Sequence, residues 1–407
     1  MPARVQVADR TMPHRLASAT ITVTDADGLP LADTAVEVRQ VSHDFLFGNI
    51  LFDLMPLMLG ESTDEARDQA QLAAWCDLFN FGTLPFYWRA FEPTEGAPQT
   101  SRLLAVARGF SGLGIKLKGH PLAWHTQAPR WLMGRPVGEV ERLLRGRITR
   151  EVENFAGLID MWDAINELVI MPVFAAEDNA VTPLCASLGR VEMAKLAFET
   201  ARQANPNVTL LLNDFDLSVA YENLIEELLE AGVKIDVLGL QTHMHQGYRG
   251  DEAVTKLLDR FARFGLPIHL TETSLVSGHL MPPDIVDLND YQIPDWPTTP
   301  TGEARQGEQI ATYYRTLVAH PAVQAVTYWG LTDRGAWLGA PIGLLREDGS
   351  RKPSYDALQN LIKGQWWVPP TTVVTDEAGR LEVTGFMGNY EYAPAGKKAS
   401  PTTFHLG

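Results

Sequence analysis

The sequence predicts an α/β protein: a (β/α)8 TIM barrel with small β-strand additions at the N- and C-termini. Apolar runs of strand length alternate with helix-like windows, eight of each, between residue 45 and residue 363. This alternation is typical of a parallel sheet with helical crossovers. Eight units over roughly 320 residues fit a closed barrel better than an open doubly wound sheet. No Gly-x-Gly-x-x-Gly or Walker-type loop follows the strands, which disfavours nucleotide-binding folds.

Each predicted barrel strand is a short apolar run bounded by turn or helix signals. The eight are Phe45–Ile50, Leu78–Leu84, Lys116–Trp124, Met161–Asn166, Thr209–Phe215, Val237–His243, Pro267–Thr271 and Ala325–Leu331. The predicted helices, which show helical periodicity, are 63–76, 100–112, 138–157, 187–204, 217–231, 250–264, 303–319 and 354–363.

Three parts are predicted along the chain: an N-terminal β-hairpin extension (1–44), the (β/α)8 barrel (45–363) and a C-terminal β-module (364–407). The hairpin is predicted from Ala19–Val23 and Thr34–Val38, which alternate with period two around a turn rich in Asp, Gly and Pro. Neither end has enough strands to be stable alone, so we expect the two to pack together. A separate sugar-binding module is the alternative for the C-terminal part.

The composition restricts the partners. The net charge is −16 and the pI is about 5.1, which argues against nucleic acid or an anionic membrane surface. Two cysteines cannot form a disulfide framework. The first residues contain no apolar segment of signal-peptide type, and no apolar run has membrane-spanning length. We therefore expect a cytoplasmic protein; the oligomeric state stays open.

Two glutamates stand at the carboxyl ends of predicted strands. Glu167 follows Met161–Asn166, and Glu272 follows Pro267–Thr271. In a parallel barrel the carboxyl ends of the strands carry the chemistry. Two carboxyls flanking a glycosidic bond can divide the work, one donating a proton and the other attacking or stabilising the anomeric carbon. A separation of about 5–5.5 Å retains the anomeric configuration, and one of about 6.5–9.5 Å inverts it.

Imidazoles, amides and indoles end other predicted strands at the same edge or lie in the loop that follows. Such a mixture suits sugars, whose C–H faces pack on aromatic rings while their hydroxyls need polar partners. A carbohydrate or small glycoside is therefore the expected partner. The residues are His120, Trp124, Asn166, Gln241, His243, Trp329 and Trp337.

Six motifs, in order, resemble those of glycoside hydrolase family 10, the retaining β-xylanases, over residues 45–363. They are GHPLAWHTQAPRWL (119–132), WDAINE (162–167), LLNDFD (211–216), LGLQTHMH (238–245), LTET (270–273) and YWGLTDRGAWL (328–338). The resemblance implies that Glu167 is the acid/base and Glu272 the nucleophile. It also implies that Asn166 holds the sugar's 2-hydroxyl and that Asp163 orients His120. It implies no cofactor and no metal ligand. The residues it places around the bond that breaks are His120, Trp124, Asn166, Gln241, His243, Trp329 and Trp337.

The chain departs from the family pattern in two places. The family's Glu-Asn-x-x-Lys-Trp run, which binds glycone sugars, is replaced by a segment with Thr83, Leu84 and Tyr87 at the three polar positions. The family's acidic partner of His243 is replaced by Ser274. A long loop, 276–301, is expected to act as a lid, with Tyr291 and Trp296 available to cover the site. These features favour a retaining β-glycosidase that acts on xylo-oligosaccharides or small β-glycosides.

Two other interpretations stay open. A metal-dependent barrel hydrolase is one, because His243 and His245 form a His-x-His that His120, His125 and Asp333 could join. A carbohydrate-binding pseudoenzyme is the other, because the glycone run and the acidic partner are missing. Activity that survives a chelator excludes the first, and turnover excludes the second.

Overall fold

The computed structural model describes residues 2–396 and 400–407. The strands of these residues, in chain order, are β1 (Ala3–Gln6), β2 (Leu16–Thr22), β3 (Ala35–Gln40), β4 (Leu46–Ile50), β5 (Phe81–Pro85), β6 (Lys116–His120), β7 (Met161–Asn166), β8 (Thr209–Asp214), β9 (Val237–Met244), β10 (Ile268–Leu275), β11 (Val323–Tyr328), β12 (Thr371–Val374), β13 (Arg380–Phe386), β14 (Gly388–Pro394) and β15 (Thr402–Leu406). The α-helices are α1 (Met55–Met58), α2 (Glu65–Leu78), α3 (Trp88–Phe91), α4 (Thr100–Ser111), α5 (Val137–Phe155), α6 (Val181–Leu188), α7 (Arg190–Ala204), α8 (Val219–Glu230), α9 (Asp251–Ala262), α10 (Pro300–Ala319) and α11 (Pro353–Gln359).

Strands β4 to β11 close into a parallel barrel, in which β11 pairs with β4. The sequence prediction of a (β/α)8 barrel is confirmed, and each predicted barrel strand overlaps an observed one. Several boundaries shift, and the seventh strand, predicted to end at Thr271, continues past Glu272 to Leu275. The predicted start of the second strand, Leu78, is the last residue of α2, and the third strand ends at His120. Strand β5 therefore begins at Phe81, after the turn that ends α2.

Close packing between β6 and β7 depends on Gly119. A Cβ there would lie 2.1 Å from the Trp162 ring, so any larger residue would displace the indole. Trp162 is fully buried, and its ring meets Phe86 and Phe155 at centroid distances of 4.6 and 6.2 Å. This contact fixes the start of β7 against the end of β6, next to His120.

The predicted N-terminal hairpin is wrong. Strand β2 pairs with β13, whereas β3 pairs with β12 and β14, so the two strands belong to different sheets. The segment between them is held by the C-terminal part of the chain, because Val23 N donates to Gly379 O at 2.9 Å. Period-two alternation identifies a strand but does not specify its partner. The two ends of the chain therefore share a three-stranded sheet, β1-β13-β2, and a four-stranded sheet, β12-β3-β14-β15.

Arg15 attaches these terminal sheets to the barrel. Its guanidinium donates to Val318 O at 2.9 Å and to His320 O at 2.8 Å, and it also bonds Val323 O. The first two carbonyls lie at the carboxyl end of α10, where helix carbonyls lack intrahelical donors and where a positive charge is favourable. The guanidinium also lies 4.9 Å from the centre of the Phe45 ring. One side chain thus donates hydrogen bonds to three backbone carbonyl oxygens at the turn between α10 and β11.

None of the helices in the described part of the chain combines the length and hydropathy needed to cross a bilayer.

We expect Arg15→Met to lower the free energy of unfolding by about 2–3 kcal/mol, because half-buried carbonyls lose a charged donor. Arg15→Lys is the matched control; it keeps the charge but cannot reach all the carbonyls, so its loss should be smaller. Urea denaturation followed by circular dichroism measures both. Equal unfolding midpoints for the Met variant and the unmodified protein would contradict this role.

Candidate active site

The carboxyl ends of the barrel strands form one rim, here called the mouth, and the predicted site residues meet there. Glu167 follows β7, and Glu272 lies within β10. Both glutamates are largely withdrawn from solvent, with 14% and 8% of their side chains exposed. The other predicted residues surround them, as the contacts below show.

Glu167 stands where the chain turns out of β7. Its φ is 59°, in the left-handed region that residues other than glycine seldom adopt. Its amide donates to Asn213 O at 2.8 Å, which holds this turn against β8. The carboxyl accepts the Trp124 indole N–H at 2.7 Å on Oε2 and the Asn166 amide at 3.0 Å on Oε1. Backbone and side-chain contacts together set the direction of the carboxyl.

The surroundings keep Glu167 protonated. Burial raises the pKa of Glu167 to about 8, and the nearby charges of Glu272 and Asp214 add to that effect. The hydrogen bond from Trp124 opposes the shift without cancelling it. At neutral pH this carboxyl is therefore mostly protonated and able to donate a proton.

Glu272 is held in the opposite state. Its Oε2 lies 3.1 Å from His243 Nε2, and its Oε1 accepts Asn213 Nδ2 at 3.0 Å. Burial works to raise the pKa of Glu272, but the His243 hydrogen bond and the charges of His120, His243 and Lys118 outweigh it and lower the pKa. Two neighbouring carboxyls whose pKa values are pushed apart can serve as acid and base or nucleophile.

Asn213, at the end of β8, joins the two glutamates. Its Nδ2 donates to Glu272 and also to Asn166 Oδ1 at 2.7 Å, and Asn166 in turn donates to Glu167. Thr271 fixes the orientation of this amide, because its hydroxyl donates to Asn213 Oδ1 at 2.5 Å. Asn213 lies in the LLNDFD motif but is not among the site residues predicted from the sequence, although its position at a strand end was a usable signal.

Gly239 lets Asn213 reach across the intervening strand. A Cβ on Gly239 would lie 2.7 Å from Asn213 Oδ1 and 3.0 Å from Thr271 Cγ2. Because β9 offers no side chain at this position, a residue of β8 can contact residues of β10. The amide bridge between the two glutamates requires this opening.

The remaining polar residues support the pair. Gln241 Nε2 lies 3.1 Å from Asn166 Oδ1 and 3.4 Å from Glu167 Oε1. His243 Nδ1 lies 3.0 Å from Ser274 Oγ, so a hydroxyl stands where the resemblance predicts a carboxylate. His243 is therefore oriented by a neutral partner.

His120 is held from below by Asp163. His120 Nδ1 lies 2.7 Å from Asp163 Oδ2, and His120 Nε2 is 3.9 Å from Glu272 Oε1. Lys118 Nζ donates to the same Asp163 oxygen at 2.7 Å. Burial raises the pKa of Asp163, but Lys118 and His120 more than compensate and the pKa is lowered. Sequence reasoning did not single out Lys118.

Aromatic rings line the mouth between β4 and β6. Tyr87 lies between Trp124 and Phe52, with ring centroids 5.7 and 5.9 Å away, and Phe52 meets Trp329 at 5.8 Å. Trp329 in turn lies 5.3 Å from His120. We call Phe52, Tyr87, Trp124 and Trp329 the aromatic wall; Phe52, in the loop after β4, was not predicted.

The segment that departs from the family run offers few polar groups to this wall. Thr83 and Leu84 are fully buried, and Leu84 has no polar side-chain atom to offer. Tyr87 is half-buried, and its pKa is raised by burial and by the charges of Glu272, Glu167 and Asp163. Its hydroxyl is the polar group that this segment adds near the carboxyls.

The packing of the 276–301 loop corrects the expectation that Trp296 is available to cover the mouth. Trp296 is 5% exposed and packs with Val276, Met281 and Ile342 in a small core of its own. It is therefore buried and not available to cover the mouth. The same core supports Trp337 through His245, whose ring lies 5.2 Å from Trp337 and 6.0 Å from Trp296.

The residues of the metal-site alternative have other partners or lie apart. His243 contacts Glu272 and Ser274, and Asp333 pairs with Lys352 at 2.7 Å. Over residues 2–396 and 400–407, no group of three or more His, Cys, Asp or Glu is arranged to hold a metal ion.

A closed parallel barrel with a protonated and an ionised glutamate at its mouth defines a site of the paired-carboxylate class. The family model "Glycosyl hydrolase family 10" matches residues 86–361. The chain belongs to this family, and the predictions of fold and family are confirmed.

Several known proteins are similar. An endo-1,4-beta-xylanase B of Thermotoga neapolitana is 29% identical over 60% of this chain and 69% of that protein. An endo-1,4-beta-xylanase/feruloyl esterase of Xylanibacter ruminicola is 27% identical over 67% of this chain but only 40% of its own length. The crystal structure of xylanase 10B from Thermotoga petrophila, in complex with xylobiose, covers 79% of this chain and 94% of that chain, with 23% identity and a TM-score of 0.63. The last comparison supports the fold.

We expect Trp124→Phe to raise the pKa of Glu167 further, because the variant removes the indole N–H that stabilises the ionised carboxylate. The carboxyl resonance of Glu167, assigned with Glu167→Gln, can be titrated by carbon-13 NMR in the variant and in the unmodified protein. Trp329→Phe is the control, because it removes an indole from the same wall and leaves the Trp124 bond in place. A lower titration midpoint in the Trp124 variant would disprove the proposed effect of the bond.

Proposed function

We propose that this protein is a retaining β-glycosidase that hydrolyses xylo-oligosaccharides or small β-glycosides with two glutamates and no cofactor. The observation that carries the proposal is the pair Glu167 and Glu272 at one mouth, joined through Asn166 and Asn213, in surroundings that raise the pKa of Glu167 and lower that of Glu272. Family membership and the xylanases among the relatives support a β-glycosidic substrate. Ten site residues predicted from sequence enter the mechanism with the roles that follow.

In the first step, a carboxylate oxygen of Glu272 bonds to the anomeric carbon while the glycosidic C–O bond breaks. The proton of Glu167 passes to the departing oxygen, so the leaving group departs as a neutral alcohol. Asn166 and Gln241, beside Glu167, are placed to bind sugar hydroxyls. The Trp124 hydrogen bond stabilises the carboxylate that Glu167 becomes.

In the second step, Glu167 acts as a base. Once Glu272 is an ester, its negative charge no longer raises the pKa of Glu167, and the ionised form becomes more favourable. Glu167 then takes a proton from water while the water oxygen bonds to the anomeric carbon and the bond to Glu272 breaks. Two inversions at one carbon give overall retention.

His120, held by Asp163, and His243, held by Ser274, approach Glu272 from two sides and orient it. Trp329 and Trp337 supply aromatic faces next to these two imidazoles, with centroids 5.3 Å from His120 and 5.0 Å from His243. A sugar over Glu272 would therefore pack on indole surfaces while polar groups contact its hydroxyls.

The aromatic wall supports the choice of small substrates. The family resemblance assigns the binding of glycone sugars to the segment that here carries Tyr87, so we infer that these sugars lie at the wall between β4 and β6. There Phe52 and Tyr87 offer ring surface and a single hydroxyl instead of several charged or amide groups. A long, hydroxyl-rich chain would lose hydrogen bonds with water at this surface without replacing them.

The first test is sugar release from aryl β-xyloside, aryl β-glucoside, aryl β-xylobioside, soluble xylan and plant glycosides with apolar aglycones. The proposal expects the small glycosides to be cleaved, with the β-anomer as the first product detected by proton NMR. Glu272→Ala should lose at least about 10⁴-fold in kcat, and azide should restore turnover by giving a glycosyl azide of inverted configuration. An α-anomeric first product would refute retention.

Glu272→Gln serves as the matched variant for the pseudoenzyme alternative. Calorimetry measures the binding of each glycoside to the unmodified protein and to this variant. If both proteins bind a glycoside equally well and neither hydrolyses it, the protein is a carbohydrate-binding pseudoenzyme.

Opening the wall should extend the substrate range. We expect Tyr87→Ala to raise the kcat/KM for xylotriose relative to that for aryl β-xyloside by roughly tenfold, because the removed ring leaves space and hydration for a further sugar. Steady-state kinetics on both substrates measures the ratio. Tyr392→Ala, in β14 of the terminal sheet, is the control for loss of a half-buried tyrosine away from the mouth. An unchanged ratio would mean that Tyr87 does not limit the glycone side.

A further inference from the structure

Lys118 is a buried cation in the barrel interior. It belongs to β6, its side chain is 1% exposed, and its ammonium donates to Asp163 Oδ2 at 2.7 Å. A lysine is seldom buried this completely, because removing an ammonium from water is costly unless it is paired. The ion pair with Asp163 compensates for this cost. Asp163 also connects Lys118 to the candidate site.

The ion pair continues to the nucleophile through His120. The same oxygen of Asp163 contacts Lys118 Nζ and His120 Nδ1, both at 2.7 Å. The other ring nitrogen of His120 is 3.9 Å from Glu272 Oε1. Lys118, Asp163, His120 and Glu272 therefore form a continuous polar chain from the interior of the barrel to its mouth.

Without Lys118, this chain of polar groups would contain two carboxylates and no lysine or arginine to balance them. Asp163 and Glu272 both have lowered pKa values and are ionised at neutral pH. Within residues 2–396 and 400–407, Lys118 is the only lysine or arginine with a nitrogen within 4.0 Å of a carboxyl oxygen of Asp163, Glu272 or Glu167. Deleting the ammonium would leave two buried carboxylates to be stabilised by imidazoles and amides alone.

Three other titratable groups near this chain carry no positive charge. Glu167 is protonated at neutral pH, and Tyr87 is neutral because its pKa is raised. His269, below the site in β10, has a pKa lowered to about 3 by burial and by the charge of Lys118, so it is neutral. His243 Nε2 lies within hydrogen-bond distance of Glu272, at 3.1 Å, whereas His120 Nε2 is 3.9 Å away, and the charges of both imidazoles act with Lys118 to lower the pKa of Glu272.

We propose that Lys118 is a positioning residue that, through Asp163 and His120, keeps Glu272 ionised and correctly oriented for attack. The proposal rests on the proposed function for its kinetic consequence, but the charge state of Glu272 can be measured without turnover. Lys118 touches no substrate. It neutralises Asp163, which can then hold His120 without adding an uncompensated charge below the nucleophile.

The test is the titration of Glu272 by carbon-13 NMR, with the resonance assigned by Glu272→Gln. In Lys118→Met we expect the titration midpoint of Glu272 to move to higher pH than in the unmodified protein. The kcat/KM for an aryl glycoside should fall roughly tenfold or more near pH 5 and much less near neutral pH, because the loss follows protonation of the nucleophile. Lys118→Arg is the control; it keeps the charge and should keep both the titration and the acid side of the pH profile.

A purely structural role would lower the thermal stability of the Met variant and leave its Glu272 titration in place, and that result would overturn the proposal. If Lys118→Met does not fold, Lys118→Gln takes its place, since it keeps a donor for Asp163 and removes the charge. On the unmodified protein, nitrogen-15 NMR of the lysine side chains should show Lys118 as an ammonium at neutral pH; a neutral amine would also overturn the proposal. If the unmodified protein hydrolyses none of the glycosides, the proposed function is refuted. The titrations would still decide the role of Lys118.

Discussion

Two carboxyl groups lie in one buried mouth, and much of the surrounding structure stabilises one of them as an acid and the other as a carboxylate. Like charges placed side by side away from water cannot both persist without compensation. Here Glu167 keeps its proton, and Glu272 keeps its charge with the help of Asn213, His243 and the polar chain that begins at Lys118. The difference between the two glutamates comes from their neighbours.

The barrel supplies those neighbours through its register. Asn166 and Asn213 are paired across β7 and β8, which puts two amides side by side at the rim. Gly239 leaves space for Asn213 to meet Thr271, and Gly119 leaves space for Trp162, which packs the start of β7 against the end of β6. Positions without a side chain are thus as important for the site as the acids themselves. A substitution at Gly239 would disturb both glutamates although this residue contacts no substrate.

Features that depend on local sequence could be predicted, and those that depend on register could not. Apolar runs ending in Glu167 and Glu272 mark strands, and the position at a strand end marks the mouth. By contrast, the bond between Asn213 and Glu272 joins residues 59 positions apart and becomes visible only when three strands are aligned. The wrongly predicted hairpin has the same origin, because β2 and β3 carry the correct alternation but take partners from the far end of the chain. The positions of Phe52 and Trp296, both in loops, could not be predicted from the sequence. Tertiary packing alone decides which loop rings face the mouth and which are buried.

The sharing of sheets between the two ends of the chain has a consequence for biosynthesis. Strands β2 and β3 leave the ribosome early, but β12, β13 and β14, with which they pair, are translated only after residue 370. Strand β4 likewise waits for β11 before the barrel can close. Nascent chains therefore expose unpaired strand edges for most of translation, a state that favours aggregation and slow, non-local folding. Chaperones that bind extended segments would therefore meet β2 and β3 before their partner strands β12, β13 and β14 have been made.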